Sequence, residues 1–246
     1  MTFTDEEIER YARHLVLREV GGPGQQRLKA ASVLIVGAGG LGSPAALYLA
    51  AAGVGSIFLA DPDEVERSNL QRQVIYAEDD LGRPKVEAAA DRLAGLNPHV
   101  FVAGFNGAFD EDSADRLVEG VDLVLDGTDD FGVRFCVNAA CVRHGKPLVS
   151  GAIGRWTGQV GVFGNQPCYR CLVPEIPPDA ETCVAVGVVG ALAGVVGSMM
   201  ALEAIKLLAG AGEPLAGRLM IYDALAGDTR TVRGAGDPEC PVCGAG

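Results

Sequence analysis

The sequence predicts an α/β protein with a Rossmann-like, doubly wound and mostly parallel sheet. Two observations lead to this fold class. Apolar segments that suit strands alternate with helical patterns from residue 32 to residue 152, and such alternation is typical of parallel sheets. A G-x-G-x-x-G sequence joins the first of these strands to the first helix, as in nucleotide-binding βαβ units.

The glycine motif predicts a phosphate cradle. Gly37, Gly39 and Gly42 follow the strand VLIV and precede a helix rich in alanine and leucine. Glycines let backbone N–H groups approach a phosphate, and the positive end of the helix dipole favours an anion. The next strand runs into Asp61, whose carboxylate can accept hydrogen bonds from ribose hydroxyls. This pattern suits NAD, FAD and ATP alike, and a tight turn that binds nothing is the alternative.

A helical preface, residues 1–30, comes before the first strand. Thr4 and Glu7 form a capping-box pattern, which predicts a helix over residues 5–18. We expect the GGPG sequence to end this helix before a short second one over residues 25–31. A dinucleotide-binding fold does not need such a preface, so we expect it to have a task of its own.

The nucleotide-binding half, residues 31–150, is expected to hold the parallel strands. The predicted strands are 32–36, 56–61, 99–105, 122–126 and 146–152, with helices at 41–52, 84–96, 110–119 and 130–144. A long polar connection leaves the carboxyl end of the second strand. Long ordered connections in compact domains tend to be functional, and open α/β sheets bind ligands at this edge.

The pattern changes in residues 151–246, where antiparallel strands are expected to extend the sheet. These strands are predicted at 157–164, 217–225 and 229–233. We assign residues 1–246 to a single domain, because no linker or internal repeat divides the chain.

One long segment, residues 184–202, carries no charge. Gly187, Gly190, Gly194 and Gly197 follow one another at spacings that put all four on one helical face. A membrane span is the alternative, but the segment is only weakly hydrophobic. We therefore predict a buried or subunit-interface helix and no membrane association.

Composition and charge exclude some classes of protein. With 48% hydrophobic and 21% charged residues, the chain is globular rather than disordered. Its net charge of -12 argues against nucleic-acid binding, which depends on Lys and Arg at phosphates. The segment MTFTDEEIER lacks the features of a secretory signal, so we expect a cytoplasmic protein.

The cysteines give the most specific signal. Cys168 and Cys171 form one C-x-x-C pair, Cys240 and Cys243 form another, and two such pairs can complete a tetrahedral zinc site. The 68 residues between the pairs mean that the fold must bring them together. A disulfide or redox pair is the alternative, which a reducing cytosol disfavours. For Cys183, a nucleophile on a mobile loop and an ordinary helix-start cysteine are both open.

Polar residues beyond the predicted strand ends indicate a triphosphate site. The connection after Asp61 carries Asn69, Arg72 and Lys85, and Asp129 follows the fourth strand. Hydride transfer does not need several cations and an extra carboxylate near the phosphates. An adenylating enzyme does, because cations neutralise the triphosphate and a carboxylate holds Mg²⁺. Solvated surface charge is the alternative for each residue taken alone.

A set of motifs spans the chain: RYARHLVL, GQQRL, VLIVGAGGLGSPAALYLAAAGVG, DPDEVERSNLQRQ, GRPKVEAA, DGTDD, PCYRCL, ETCV and CPVCG. Together they resemble the MoeB/ThiF (HesA/MoeB/ThiF) family of ubiquitin-activating-enzyme-like adenylyltransferases, in the short MoeB-type form without a rhodanese domain. The resemblance implies adenylation, with ATP and Mg²⁺, of the C-terminal Gly-Gly carboxylate of a ubiquitin-like sulfur-carrier protein of MoaD or ThiS type. Pyrophosphate would be released, and the pathway would be molybdopterin or thiamine biosynthesis.

The resemblance also implies roles for individual residues. The residues that would bind ATP are Gly37, Gly39, Gly40, Gly42, Asp61, Asn69, Arg72, Gln73 and Lys85. Asp129 would coordinate Mg²⁺, and Arg13 would reach the ATP of the partner across a homodimer interface. The two cysteine pairs match zinc ligands, and Cys183 matches a cysteine that some members use for a thioester or persulfide link. Arg13, Arg72, Lys85, Asp129 and Cys183 would thus serve catalysis, and Asp130 stands where the family usually has Asn.

Other functions stay open at this point. They are a nucleotide-binding scaffold without catalysis, an NAD-dependent oxidoreductase and a tRNA-modifying relative within the family. The three histidines have no spacing typical of a metal site or a catalytic triad, so we expect no general base.

Overall fold

The computed structural model describes residues 2–176 and 187–244. Its strands are β1 (Ser32–Val36), β2 (Ser56–Ala60), β3 (Phe101–Phe105), β4 (Leu123–Asp126), β5 (Leu148–Ile153), β6 (Thr157–Phe163), β7 (Arg218–Asp223) and β8 (Asp228–Arg233). Its helices are α1 (Asp5–Arg10), α2 (Ala12–Leu15), α3 (Gly21–Ala30), α4 (Gly42–Ala52), α5 (Lys85–Leu96), α6 (Glu111–Glu119), α7 (Phe131–Arg143), α8 (Tyr169–Leu172) and α9 (Gly190–Ala209).

One eight-stranded sheet runs through both predicted halves of the chain. Its strand order is β3-β2-β1-β4-β5-β6-β7-β8. The neighbours from β3 to β5 pair in parallel, and those from β5 to β8 are antiparallel. The predicted fold class is therefore confirmed, with the antiparallel strands where the sequence pattern changes.

Both faces of the sheet are covered by helices. In β1, Val33 and Ile35 join the core under α4, α5 and α9, while Leu34 and Val36 join the core under α6 and α7. Strands buried on both faces have continuous apolar sequences because neither side meets water. This is why residues 33–36 of the first strand are all apolar rather than alternating.

The order in which strands are added to the sheet reverses at the pair β1 and β4. It builds outward from β1 through β2 to β3 and then returns to place β4 on the other side of β1. The loops that follow β1 and β4 therefore leave the same edge side by side, because the two strands pair in parallel. Ligands of open α/β sheets bind at such a switch point.

The helical preface differs from the prediction. The capping box of Thr4 and Glu7 is present, but the first helix breaks at Tyr11, where the backbone leaves helical geometry (φ -95°, ψ 11°). The prediction that GGPG separates two helices is wrong, since α3 begins at Gly21. Pro23 lies in the first turn of α3, where the N–H that proline lacks has no helical partner.

The glycine-bearing helix α9 also differs from the prediction. Gly187 precedes the helix with a φ of +73°, so it does not share the face of the others. A Cβ at Gly190 would lie 2.1 Å from Gln71 O, and one at Gly197 would lie 2.4 Å from Leu41 O. A Cβ at Gly194 would meet nothing within 4 Å. Close backbone approach thus applies to two of the four glycines.

By length and composition, α9 could cross a membrane. However, one side of α9 packs into the core with residues such as Leu192, Val196 and Met200. The opposite side leaves Val195 and Leu202 exposed at 40% and 59%. Such a helix is typical of a core element with one uncovered apolar side, as the sequence indicated.

Candidate nucleotide site and cysteine cluster

A large cleft opens at the switch point between β1 and β4. Its volume is about 1070 Å³, large enough for a nucleotide triphosphate with a second substrate. Nine of the predicted ATP and Mg²⁺ residues line it: Gly37, Gly39, Gly40, Asp61, Asn69, Arg72, Gln73, Lys85 and Asp129. Gly42 lies beside the cleft as the first residue of α4.

The glycine loop passes closely over the start of α4. Gly37 has a φ of +87°, a conformation that favours glycine. A Cβ at Gly42 would lie only 1.9 Å from the carbonyl oxygen of Gly37, so no side chain fits there. The loop thus brings backbone N–H groups and the helix N-terminus to the cleft, an arrangement that favours a bound anion.

Asp61 holds the glycine loop from the neighbouring strand. Its Oδ2 accepts a hydrogen bond from the N–H of Ala38 at 2.7 Å, and its Oδ1 accepts one from the N–H of Asp63 at 2.9 Å. Burial raises the pKa of Asp61, although the charge of Lys85 opposes the rise. The hydroxyl of Tyr76 fixes the same loop by donating to Ala38 O at 2.8 Å.

Two of the predicted phosphate-binding cations, Lys85 and Arg72, line the cleft of this acidic protein. Lys85 is 5% exposed, and its Nζ lies 2.7 Å from Asp63 Oδ2 and 3.8 Å from Asp61 Oδ1. Arg72 donates through Nη1 to Ser68 O at 3.1 Å. The structure thus brings Lys85 and Arg72 together in one cleft.

Two polar side chains near these cations are buried. Asn69 accepts from the N–H of Glu66 at 3.2 Å. Gln73 is 4% exposed, and its Oε1 has no hydrogen-bond partner within the described ranges. A buried acceptor without a partner costs free energy, so a ligand donor such as a hydroxyl or amine would satisfy it.

The loop after β4 forms the other wall of the cleft. Asp129 is exposed there, with its carboxylate available to a metal ion. Asp130 accepts a hydrogen bond from the N–H of Val133 at 2.8 Å and so caps α7. A carboxylate is favourable at a helix N-terminus, which explains how Asp is accommodated at this position.

Sequence reasoning missed the residues that hold this loop. Asp126, the last residue of β4, is fully buried and lies 3.2 Å from Arg134 Nη1. Its Oδ1 accepts from both the N–H and the hydroxyl of Thr128, at 3.1 and 2.7 Å. A single arginine in the otherwise apolar segment FGVRFCV was the available signal, since a buried charge needs a partner.

Arg13 does not line the cleft of its own chain. It is an exposed residue of α2, two positions after Tyr11. Tyr11 packs against Gly53 at the C-terminal end of α4, whereas the cleft lies at the N-terminal end. The 11 residues of α4 span about 16 Å, so Arg13 lies far from the cleft of its own chain.

The two cysteine pairs meet in space as predicted. Their four Sγ atoms all lie within 4.8 Å of one another. The Sγ of Cys168 is 4.0 Å from that of Cys171 and 3.7 Å from that of Cys240, and the Sγ atoms of Cys171 and Cys243 are 3.3 Å apart. Tetrahedral zinc with bonds of about 2.3 Å needs sulfurs about 3.8 Å apart, so the cluster fits a metal ion. Cys183 lies outside the described residues.

Comparison with known proteins shows to which family the chain belongs. The chain belongs to the ThiF family, whose profile matches residues 11–242. It is 48% identical to the sulfur carrier protein adenylyltransferase of Thermus thermophilus, over 99% of this chain and 93% of that protein. It is 47% identical to the molybdopterin-synthase adenylyltransferase of Salmonella typhimurium, over 98% of each.

The fold also matches a solved structure. A crystal structure of E. coli MccB with ATP superposes with a TM-score of 0.78 and 26% identity, covering 90% of this chain and 68% of that one. A protein of this fold, E. coli MccB, has thus been crystallised with ATP.

Proposed function

We propose that the protein is an ATP-dependent adenylyltransferase that activates the C-terminal Gly-Gly carboxylate of a ubiquitin-like sulfur-carrier protein. The observation that carries this proposal is the cleft, which brings Lys85 and Arg72 together with Asp129 across the switch point. The names of the relatives at 47 to 48% identity support this reaction and substrate class. Synthesis of the molybdenum cofactor or of thiamine is the pathway that we expect.

The charges of the cleft suit the chemistry. A carboxylate is a poor electrophile, and attack of its oxygen on the α-phosphate of ATP converts it to an acyl-adenylate while pyrophosphate leaves. Arg72 and Lys85 would neutralise the phosphates, and the glycine loop would hold them through its N–H groups. The attacking carboxylate is already ionised, so the reaction needs no general base. Catalysis would come from alignment and charge neutralisation.

Metal and ribose binding complete this assignment. We propose Asp129 as the Mg²⁺ ligand, and Mg²⁺ would offset charge that develops on the phosphates. Asp61 has lone pairs left after its two backbone hydrogen bonds, so it can also accept from ribose hydroxyls. Gln73 Oε1 would gain the donor that it lacks.

The cleft continues from Asp129 toward β5 and β6, where it is lined by small and uncharged residues such as Ala152, Gly154 and Thr157. We propose that the glycine tail of the carrier enters here, with the carrier body against residues 151–246. A lining of small, uncharged residues suits a tail without side chains.

We further propose a homodimer in which Arg13 completes the partner's site. Two observations support this: Arg13 lies away from its own cleft, and α4 and α9 leave an apolar surface that includes Tyr48, Val195 and Leu202. Exposed apolar patches are typical of interfaces. Equilibrium sedimentation of the purified protein tests the dimer, and a monomer at micromolar concentration would contradict it.

We propose zinc as the ion of the cysteine cluster, with a structural role. Zinc would join the segment after β8 to the body of the protein. Metal analysis of reduced protein should find zinc, and Cys243→Ser should lose it. Cys136→Ser is the matched control, because Cys136 lies outside the cluster, and it should retain the metal.

The reaction is tested by ATP–pyrophosphate exchange that depends on an added Gly-Gly carrier. We expect exchange with at least one carrier of MoaD or ThiS type, and no exchange with any would defeat the proposal. Arg72→Ala should abolish exchange while carrier binding persists, which separates an enzyme from a scaffold. We expect a cytoplasmic protein that binds neither nucleic acid nor membranes. A covalent role for Cys183 is a separate hypothesis, tested by mass spectrometry for a carrier adduct that Cys183→Ser would lack.

A further inference from the structure

A buried arginine connects three elements behind the loop that carries Asp129. Arg134 belongs to α7 and is 4% exposed. Its Nη1 donates to Ser150 Oγ at 2.8 Å and to Gly151 O at 2.9 Å, both in β5. Its Nη2 donates to Thr128 O, next to Asp129.

The charge of Arg134 is balanced inside the protein. Its Nη1 lies 3.2 Å from Asp126 Oδ2, and Asp126 also accepts from Ser150 Oγ at 3.0 Å. The same Asp126 accepts from the N–H and the hydroxyl of Thr128. Arg134 and Asp126 therefore both hold Thr128, the residue before Asp129: Arg134 through the carbonyl oxygen, and Asp126 through the N–H and the hydroxyl.

An aromatic ring closes off the guanidinium group. The centroid of the Tyr169 ring lies 5.6 Å from Arg134 Cζ, within the range of a cation–π contact. Tyr169 follows the cluster cysteine Cys168, and its N–H donates to Asn138 Oδ1 at 2.8 Å. Arg134 thus contacts the segment that carries the first pair of cluster cysteines.

We propose that Arg134 is a positioning residue that fixes the direction of the Asp129 carboxylate and thereby sets how tightly the cleft holds Mg²⁺ together with ATP. Arg134 lies at the lining of the cleft, but its guanidinium group donates to protein atoms, so it acts through the loop rather than on the nucleotide. A planar fork of donors can reach β5, the loop and Asp126 at once, whereas the single ammonium of lysine cannot. This inference rests on the proposed binding of ATP and Mg²⁺.

The test compares Arg134→Lys with Arg143→Lys. Arg143 lies on the same helix, where it pairs with Asp115 at the surface. For each variant we would measure ATP–pyrophosphate exchange against Mg²⁺ concentration, ATP binding in EDTA and the melting temperature. For Arg134→Lys we expect the Mg²⁺ requirement to rise about tenfold, as for a lost hydrogen bond to a charged group. ATP binding in EDTA should change less than about twofold, and Arg143→Lys should match the wild type.

Two results would overturn the inference. One is an unchanged Mg²⁺ requirement in folded Arg134→Lys. The other is an equal loss of ATP binding in EDTA, because Arg134 would then contact the nucleotide itself. If Arg134→Lys does not fold, Ser150→Ala decides by the same two measurements, since it removes one acceptor of Arg134 and one donor to Asp126. Absence of exchange in the wild type would instead contradict the proposed function.

Discussion

Each of the two loops at the switch point is held by a buried carboxylate, and the two carboxylates have different cationic partners. After β1, Asp61 holds the glycine loop through the N–H of Ala38. After β4, Asp126 holds the next loop through the N–H of Thr128. Both carboxylates lie at the end of a strand and accept hydrogen bonds from a loop that faces the cleft.

The difference lies in the cations. Lys85 is 3.8 Å from Asp61 and pairs more closely with the exposed carboxylate of Asp63, so its ammonium can move to a ligand. Arg134 is held by β5, the loop and Asp126 together. One wall of the cleft thus carries a cation that can move, and the other holds the proposed metal ligand Asp129 in a fixed frame.

The largest expected effect is on the wall formed by the loop after β4, which Asp126 and Arg134 hold in place. Asp126→Asn would leave Arg134 buried without its counter-charge, and loss of one partner of a buried pair costs about 3–5 kcal/mol of unfolding free energy. Urea unfolding measures the loss. Asp122→Asn is the control, because Asp122 precedes the same strand but is exposed. Equal losses in the two variants would show that Arg134 does not depend on Asp126.

The second effect is on the wall that carries Lys85. Lys85→Met should lower ATP–pyrophosphate exchange about 100-fold or more, because it removes the charge that we propose neutralises the departing phosphates. Lys146→Met is the control, since Lys146 lies before β5 at the opposite edge of the sheet. Exchange within threefold of the wild type in Lys85→Met would remove the distinction between the two walls.

The third effect concerns the backbone where the two loops meet. Gly42→Ala would place a Cβ 1.9 Å from Gly37 O, and forced overpacking costs about 1–3 kcal/mol. At Gly127 the nearest atoms to a Cβ are 3.2 Å away, so Gly127→Ala should cost less. Thermal unfolding and ATP binding compare the two variants. A larger loss in Gly127→Ala would mean that the glycine loop yields more easily than the loop after β4.

The smallest effect is a dependence on pH. Burial raises the pKa of Asp61 above its ordinary value of 3.8, so the folded state binds this proton more tightly than the unfolded state. The Asp61 contribution to stability therefore falls as pH rises from 3.8 through the raised pKa. Asp61→Asn lacks this loss, so its stability relative to the wild type should rise over that range. Urea unfolding at several pH values measures the trend, and a difference independent of pH would contradict it.

Local patterns were enough to predict the parallel strands and the glycine cradle. Val33–Val36 is apolar and leads into glycines, so strand, turn and helix follow from neighbouring residues. Arg134 could not be assigned in this way, because its partners Asp126 and Ser150 come from two other elements. The break at Tyr11 was missed for the same reason, since Tyr11 is placed by Gly53 and Asn97 far along the chain.

The cysteine cluster also has a consequence for how the chain is made. Cys168 and Cys171 are synthesised before α9, β7 and β8, and the other two cysteines of the cluster follow only after those elements. Until Cys240 and Cys243 are synthesised, the first two thiols lack the other half of the cluster, and an oxidant can join them as a disulfide. A reducing environment during synthesis would keep this first pair free to join Cys240 and Cys243 in the cluster.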